Sequence, residues 1–222
     1  MDIKNAVILI TSAGSLLGST QAMHFASLGA TVILCDQEIQ ALHNSYQKCL
    51  SITGRVHCFQ LPNRSMNSIQ QMYDAIYQQC NTCPDVLVNI LPTQPFPRLI
   101  SDSSTDVFSQ NLTSMISAMF SFGRASAERM RKENKKGVIV NIISREGYDD
   151  LLGFESAASM VTGLTQSWAK ELTPFHIRVG GVVPSLDAPN GVPHWGEVYH
   201  ELIRNTEYIV TNDYFSGRVM AA

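Results

Sequence analysis

The sequence predicts one α/β domain, a doubly wound parallel sheet between two helical layers, spanning residues 1–222. Three observations predict it. Short apolar runs rich in β-branched residues alternate with longer segments of helical character along the whole chain. The first run leads through a glycine-bearing turn and a helix into a second run that ends on an acid, Asp36. No internal repeat, low-complexity stretch or linker interrupts the alternation. A content of 45% hydrophobic and 16% charged residues suits one sizeable core.

Taken in order, Ala6 to Thr11 (AVILIT) is continuously apolar, as a central parallel strand covered on both faces requires. Thr11 to Gly18 (TSAGSLLG) opens a helix that runs to about Leu28 and stops at Gly29. Thr31 to Cys35 forms the second strand, with Asp36 at its end. A helix from about Glu38 to Leu50 precedes a strand near Val56 to Leu61, and one from about Met66 to Gln79 precedes Val86 to Ile90. Leu91 to Arg98 carries three of the nine prolines and is expected to be a loop. A long helix over 106–132 leads to the strand Val138 to Ile143. A polar turn with Gly147 and Gly153 follows, then a helix of small residues over 154–172. Ile177 to Val183 gives a sixth strand, and a helix near Glu197 to Ile209 and a strand around Gly217 to Met220 close the chain.

Charge and cysteine usage exclude several classes. A net charge of -3 leaves no footprint for nucleic acid. The one basic cluster, Arg129 to Lys136, falls where a helix ends and complements its dipole. No apolar run is long enough to span a membrane, and no secretory leader pattern is present. Five cysteines without such a leader suggest a reduced, cytoplasmic protein. Cys80 and Cys83 form a lone CxxC with no second ligand pair, and the histidines lack ligand spacing, so no metal site is expected.

The segment Gly137 to Leu172, GVIVNIISREGYDDLLGFESAASMVTGLTQSWAKEL, resembles the active-site segment of the short-chain dehydrogenase/reductase family, IVNISS followed by YxASKxAxxGLTxxLAxE. Asn141 and Ser144 match the strand; Gly163, Leu164, Thr165, Ala169, Lys170 and Glu171 match the helix. The resemblance extends to Asp85–Ile90, to Asn111 within NLT, to Ile177–Ser185 and to Asp213–Val219. It implies a Rossmann-like fold.

It also implies a cofactor and a set of site residues. The family's loop TGxxxGxG would cradle a dinucleotide; here Gly18 keeps register, Gly14 is an off-register extra, and Ser12 and Leu16 replace the other two glycines. Asp36 stands where a carboxylate takes the ribose hydroxyls, which favours NAD over NADP. Asn89 holds the first place of the family's NNAG. Ser144 and Asn111 match the substrate-holding serine and the relay asparagine. The family's catalytic YxxxK pair, however, falls on Phe154 and Ala158. Neither can move a proton.

The expectation is therefore a catalytically silent member that acts by binding or assembly, with an NAD-dependent oxidoreductase using unorthodox groups as the alternative. Tyr148 is the one nearby residue that would serve as a relocated acid. Pro184 to Asp213 is shorter than the family's substrate-covering excursion, with His194 and Trp195 lining what is left. The family's usual pairing implies self-association through helices 106–132 and 154–172, as a homo-oligomer or with a catalytically competent homologue.

Overall fold

The structure is a computed structural model that describes residues 1–92, 96, 97, 100, 105–144, 154–184 and 195–222, with the backbone alone at Pro92 and at 195–197. Tyr148, His194 and the turn with Gly147 and Gly153 lie outside the described residues, as does the Trp195 side chain.

Seven strands form one parallel sheet: β1 (Val7–Ile10), β2 (Thr31–Asp36), β3 (Val56–Gln60), β4 (Val86–Pro92), β5 (Val138–Ser144), β6 (Arg178–Val183) and β7 (Arg218–Ala221). Their order is β3-β2-β1-β4-β5-β6-β7, so the winding reverses between β1 and β4. Six helices link them: α1 (Leu16–Ser27), α2 (Ile39–Leu50), α3 (Met66–Cys80), α4 (Thr105–Lys132), α5 (Phe154–Leu172) and α6 (Trp195–Thr211), with short 3-10 turns at Ile3–Asn5 and Thr173–Phe175.

Alternation along the strands divides the core. Ile8, Ile10, Val32, Leu34, Val86, Val88, Val140 and Ile142 face α1, α2 and α6. Leu9, Ile33, Leu87, Ile139 and Val179 face α3, α4 and α5. Two covered faces explain why β1, β4 and β5 read as unbroken apolar runs rather than alternating ones.

One expectation fails. Leu91 and Pro92 belong to β4, where they pair with Ile143 and Ser144 of β5. A proline is tolerated because β1 ends early. The N–H of Ile90 points toward the β1 side, where it donates to Thr11 Oγ1 at 2.9 Å. By alternation the nitrogen of Pro92 points the same way, past the end of β1, and no ladder bond is lost.

The basic cluster is structural. Arg129 pairs with Asp74 at 2.6 Å and Lys135 with Asp85 at 2.7 Å, while Arg129, Arg131 and Lys132 occupy the last turn of α4. Cys80 ends α3 rather than beginning a helix, and Asn81 caps it in the left-handed conformation. Among the described residues no helix is long and apolar enough to cross a membrane, and no cluster of His, Cys, Asp and Glu is suited to hold a metal ion.

Candidate functional site

The loop after β1 lies at the point where the winding reverses, the usual ligand position in an open α/β sheet. Thr11 ties the end of β1 to β4, its N–H donating to Val88 O at 3.1 Å. Ser12 takes a left-handed φ of 48°, a conformation that glycine adopts without strain. Ser15 caps α1 by accepting from the Gly18 N–H at 3.0 Å.

Gly18 is required by packing: a Cβ there would stand 2.2 Å from Ser12 O. Gly14 is required by its approach to α2, since its Cβ would stand 2.7 Å from that of Ala41. Its N–H donates to Asp36 Oδ2 at 2.8 Å. The other carboxylate oxygen accepts from the N–H groups of Gln37 at 2.6 Å and Glu38 at 3.2 Å. Of the three residues expected to hold a cofactor in this loop, Gly14 binds Asp36, while the Gly18 N–H is taken by Ser15.

Thr11, Ser12, Asp36, Arg64, Ile90 and Leu91 line the crevice above this loop, whose free space is about 10 Å³, roughly the room of one water molecule. Arg64 reaches Ser12 Oγ at 3.5 Å. Its place four residues past β3, in a polar stretch with no motif, gave no signal in the sequence. Leu16, the first residue of α1, is 60% exposed. The residues present do not fit a dinucleotide laid along this crevice: the space is filled and the carboxylate is engaged.

Ser144, the last residue of β5, is 0% exposed, and its Oγ has no hydrogen-bond partner among the described residues. It therefore receives no bond from Asn111, which sits half-buried on α4. Asn89 is a cross-sheet tie. Its Nδ2 donates to Asn141 Oδ1 at 3.1 Å and to Met119 O at 3.4 Å, and its Oδ1 accepts from Thr11 Oγ1 at 3.4 Å.

Phe154 opens α5 and is 3% exposed. It packs in an apolar cluster with Leu91, Phe96, Met115, Ile143 and Ala157, and Ala158 lies against the same cluster. Where the resemblance places a tyrosine and a lysine, the structure has Phe154 and Ala158 packed against apolar side chains.

A second hollow, of about 290 Å³, lies on the outer face of α4 and α5, lined by Phe120, Gly123, Arg124, Arg131, Trp168 and Phe175 among others. Phe120 is 47% and Phe175 39% exposed. The Arg131 guanidinium lies 5.3 Å from the centre of the Phe175 ring, within cation–π range.

The family model described as short chain dehydrogenase matches residues 6–190. The chain belongs to this family. Cyclopentanol dehydrogenase of Comamonas sp. (strain NCIMB 9872) is 29% identical over 192 residues, covering 84% of this chain and 74% of that protein. Sorbitol-6-phosphate 2-dehydrogenase of Klebsiella pneumoniae is 28% identical over 204 residues, covering 86% and 73%. Among solved structures, a short-chain type dehydrogenase/reductase from Mycobacterium marinum has a TM-score of 0.84 at 20% identity, covering 99% of this chain and 95% of that one. An NAD+-bound xylitol dehydrogenase has a TM-score of 0.81 at 18% identity, covering 97% and 96%. Both structural likenesses speak to the fold of this short chain dehydrogenase family member.

Proposed function

We propose that this chain is a catalytically silent member of the short chain dehydrogenase family that acts by assembly. The observation carrying the reading is the apolar cluster around Phe154 and Ala158, together with a Ser144 that is buried with no hydrogen-bond partner among the described residues. A serine hydroxyl without a base is a hydrogen bonder, not a nucleophile or an acid. Losing positioned acid–base catalysis alone costs on the order of a hundred- to ten-thousand-fold in rate.

Assembly through α4 and α5 is supported by the hollow they share, where aromatic side chains and arginines, the residue types enriched at the centres of interfaces, stand open. The partner is a second copy of this chain or a competent homologue, in the cytoplasm. The second reading, an NAD-dependent oxidoreductase, draws on the position of Asp36 at the end of β2 and on the activities named for the relatives.

Two measurements test the proposal. No turnover is expected when nicotinamide absorbance is followed with NAD or NADP and secondary alcohols, cyclopentanol among them; measurable turnover overturns silence. Light scattering at micromolar concentration is expected to give a dimer or tetramer. A monomer overturns assembly of the chain with itself.

A further inference from the structure

We infer that the crevice at the β1/β4 reversal is occupied by the chain's own side chains, and that Asp36 is a clasp for the loop after β1 rather than a ribose ligand. This goes beyond catalytic silence, since a chain with no proton donor can still hold a dinucleotide.

A carboxylate offers about four lone-pair positions. Three are filled by backbone N–H groups: Gly14 on Oδ2, Gln37 and Glu38 on Oδ1. One position remains for two ribose hydroxyls. The bonds it already makes have a structural purpose, joining the loop after β1 to the residues that lead into α2.

The phosphate end is obstructed by different groups. A pyrophosphate needs close backbone approach to free N–H groups at a helix start. Here the Gly18 N–H is held by Ser15 Oγ, and the exposed side chain of Leu16 projects from the first turn. Arg64 crosses from the segment after β3 to Ser12 Oγ and lies in the same crevice as Asp36. Ile90 and Leu91, each 2% exposed, line the rest with Met115. The remaining 10 Å³ compares with the roughly 300 Å³ or more of a small-molecule pocket.

The test is calorimetric titration of the full chain, and of the double variant Leu16→Gly, Arg64→Ala, with NAD, NADH, NADP and NADPH. The unmodified chain is expected to bind none of them more tightly than roughly millimolar, and the variant to gain about tenfold or more for at least one. Micromolar binding by the unmodified chain overturns the inference, and if it comes without turnover it leaves catalytic silence standing. Equal affinity of the two chains overturns the assignment of Arg64 as an occupant of the crevice and of Leu16 as an obstacle on the first turn of α1.

Melting in the absence of any nucleotide gives an independent readout. Asp36→Asn sets an amide N–H against a backbone N–H at one end of the clasp or the other, so the melting temperature is expected to fall by about 2–4 °C or more. An unchanged melting temperature overturns the clasp.

Discussion

Trp168 of α5 lies directly over Gly123 of α4: a Cβ built on that glycine would stand 2.6 Å from Trp168 Cζ3 and 2.9 Å from Cη2. The two helices are set close by a glycine under an indole, and Phe120 meets the same indole edge-on with centroids 6.3 Å apart. Gly123→Ala must displace the ring. The expected cost is about 1–3 kcal/mol, as for overpacking elsewhere. Because the indole lines the outer hollow, the variant should also dissociate at higher concentration than the unmodified chain. Denaturant melts and sedimentation equilibrium on the same preparation separate the two effects.

Phe154→Ala should destabilise by about 3–5 kcal/mol, the range for emptying a buried aromatic site. A residue serving chemistry at an open cleft would cost far less. Phe154→Tyr combined with Ala158→Lys should remain without dehydrogenase activity, since Ser144 is buried and the crevice that would hold a dinucleotide is filled. Activity in that double variant would revive the oxidoreductase reading.

The cysteines should divide by exposure. Cys58 is exposed and Cys80 half-buried, while Cys35, Cys49 and Cys83 are buried. Burial pushes the Cys49 thiol up to about 11 and Cys83 to about 12, from an ordinary value of 9.0. Alkylation read by mass spectrometry should therefore label Cys58 first, Cys80 next, and the buried three only on unfolding. The same shifts fix the sign of a pH effect. The folded state keeps protons that the unfolded chain releases, so this contribution is intact below about pH 9 and is lost as pH rises through the folded values toward about 12. Rapid labelling of Cys83 in the folded chain at neutral pH would contradict its burial.

Arg178 closes the C-terminal end of α6. Its guanidinium donates to the carbonyls of Ile209 at 2.7 Å, Val210 at 2.8 Å and Phe215 at 3.0 Å. Arg178→Met strands those carbonyls under a side chain of similar length, at a cost on the order of 1–3 kcal/mol. Hydrogen exchange should show the last turn of α6 opening first. Protection unchanged there would mean the carbonyls find other donors.

Most of the fold was legible because pattern and punctuation agreed: unbroken β-branched runs, longer helical segments between them, and a glycine or proline at most junctions. The extra length of β4 was not, because a proline in a strand normally ends it, and only the early stop of β1 makes Pro92 harmless. At the candidate site, residue types were readable but their partners were not. Asp36, Asn89 and Ser144 are the right kinds of group in the right order. Sequence spacing carries no information on whether a carboxylate points at solvent or at Gly14, nor on whether a serine lies open or buried. Arg64 was invisible for the converse reason. Its role comes only from a loop that folds back toward Ser12.

The 2.2 Å separating Ser12 O from any side-chain atom at Gly18 reaches beyond this protein. The last glycine of the loop would be indispensable here even if nucleotides did not exist, because the helix could not otherwise rest on the strand end. A scan that counts that glycine as proof of a nucleotide is measuring the thickness of a joint. The first-turn leucine and the carboxylate already bonded to three backbone N–H groups, which no glycine pattern records, are the better places to look when asking whether such a loop can hold a nucleotide.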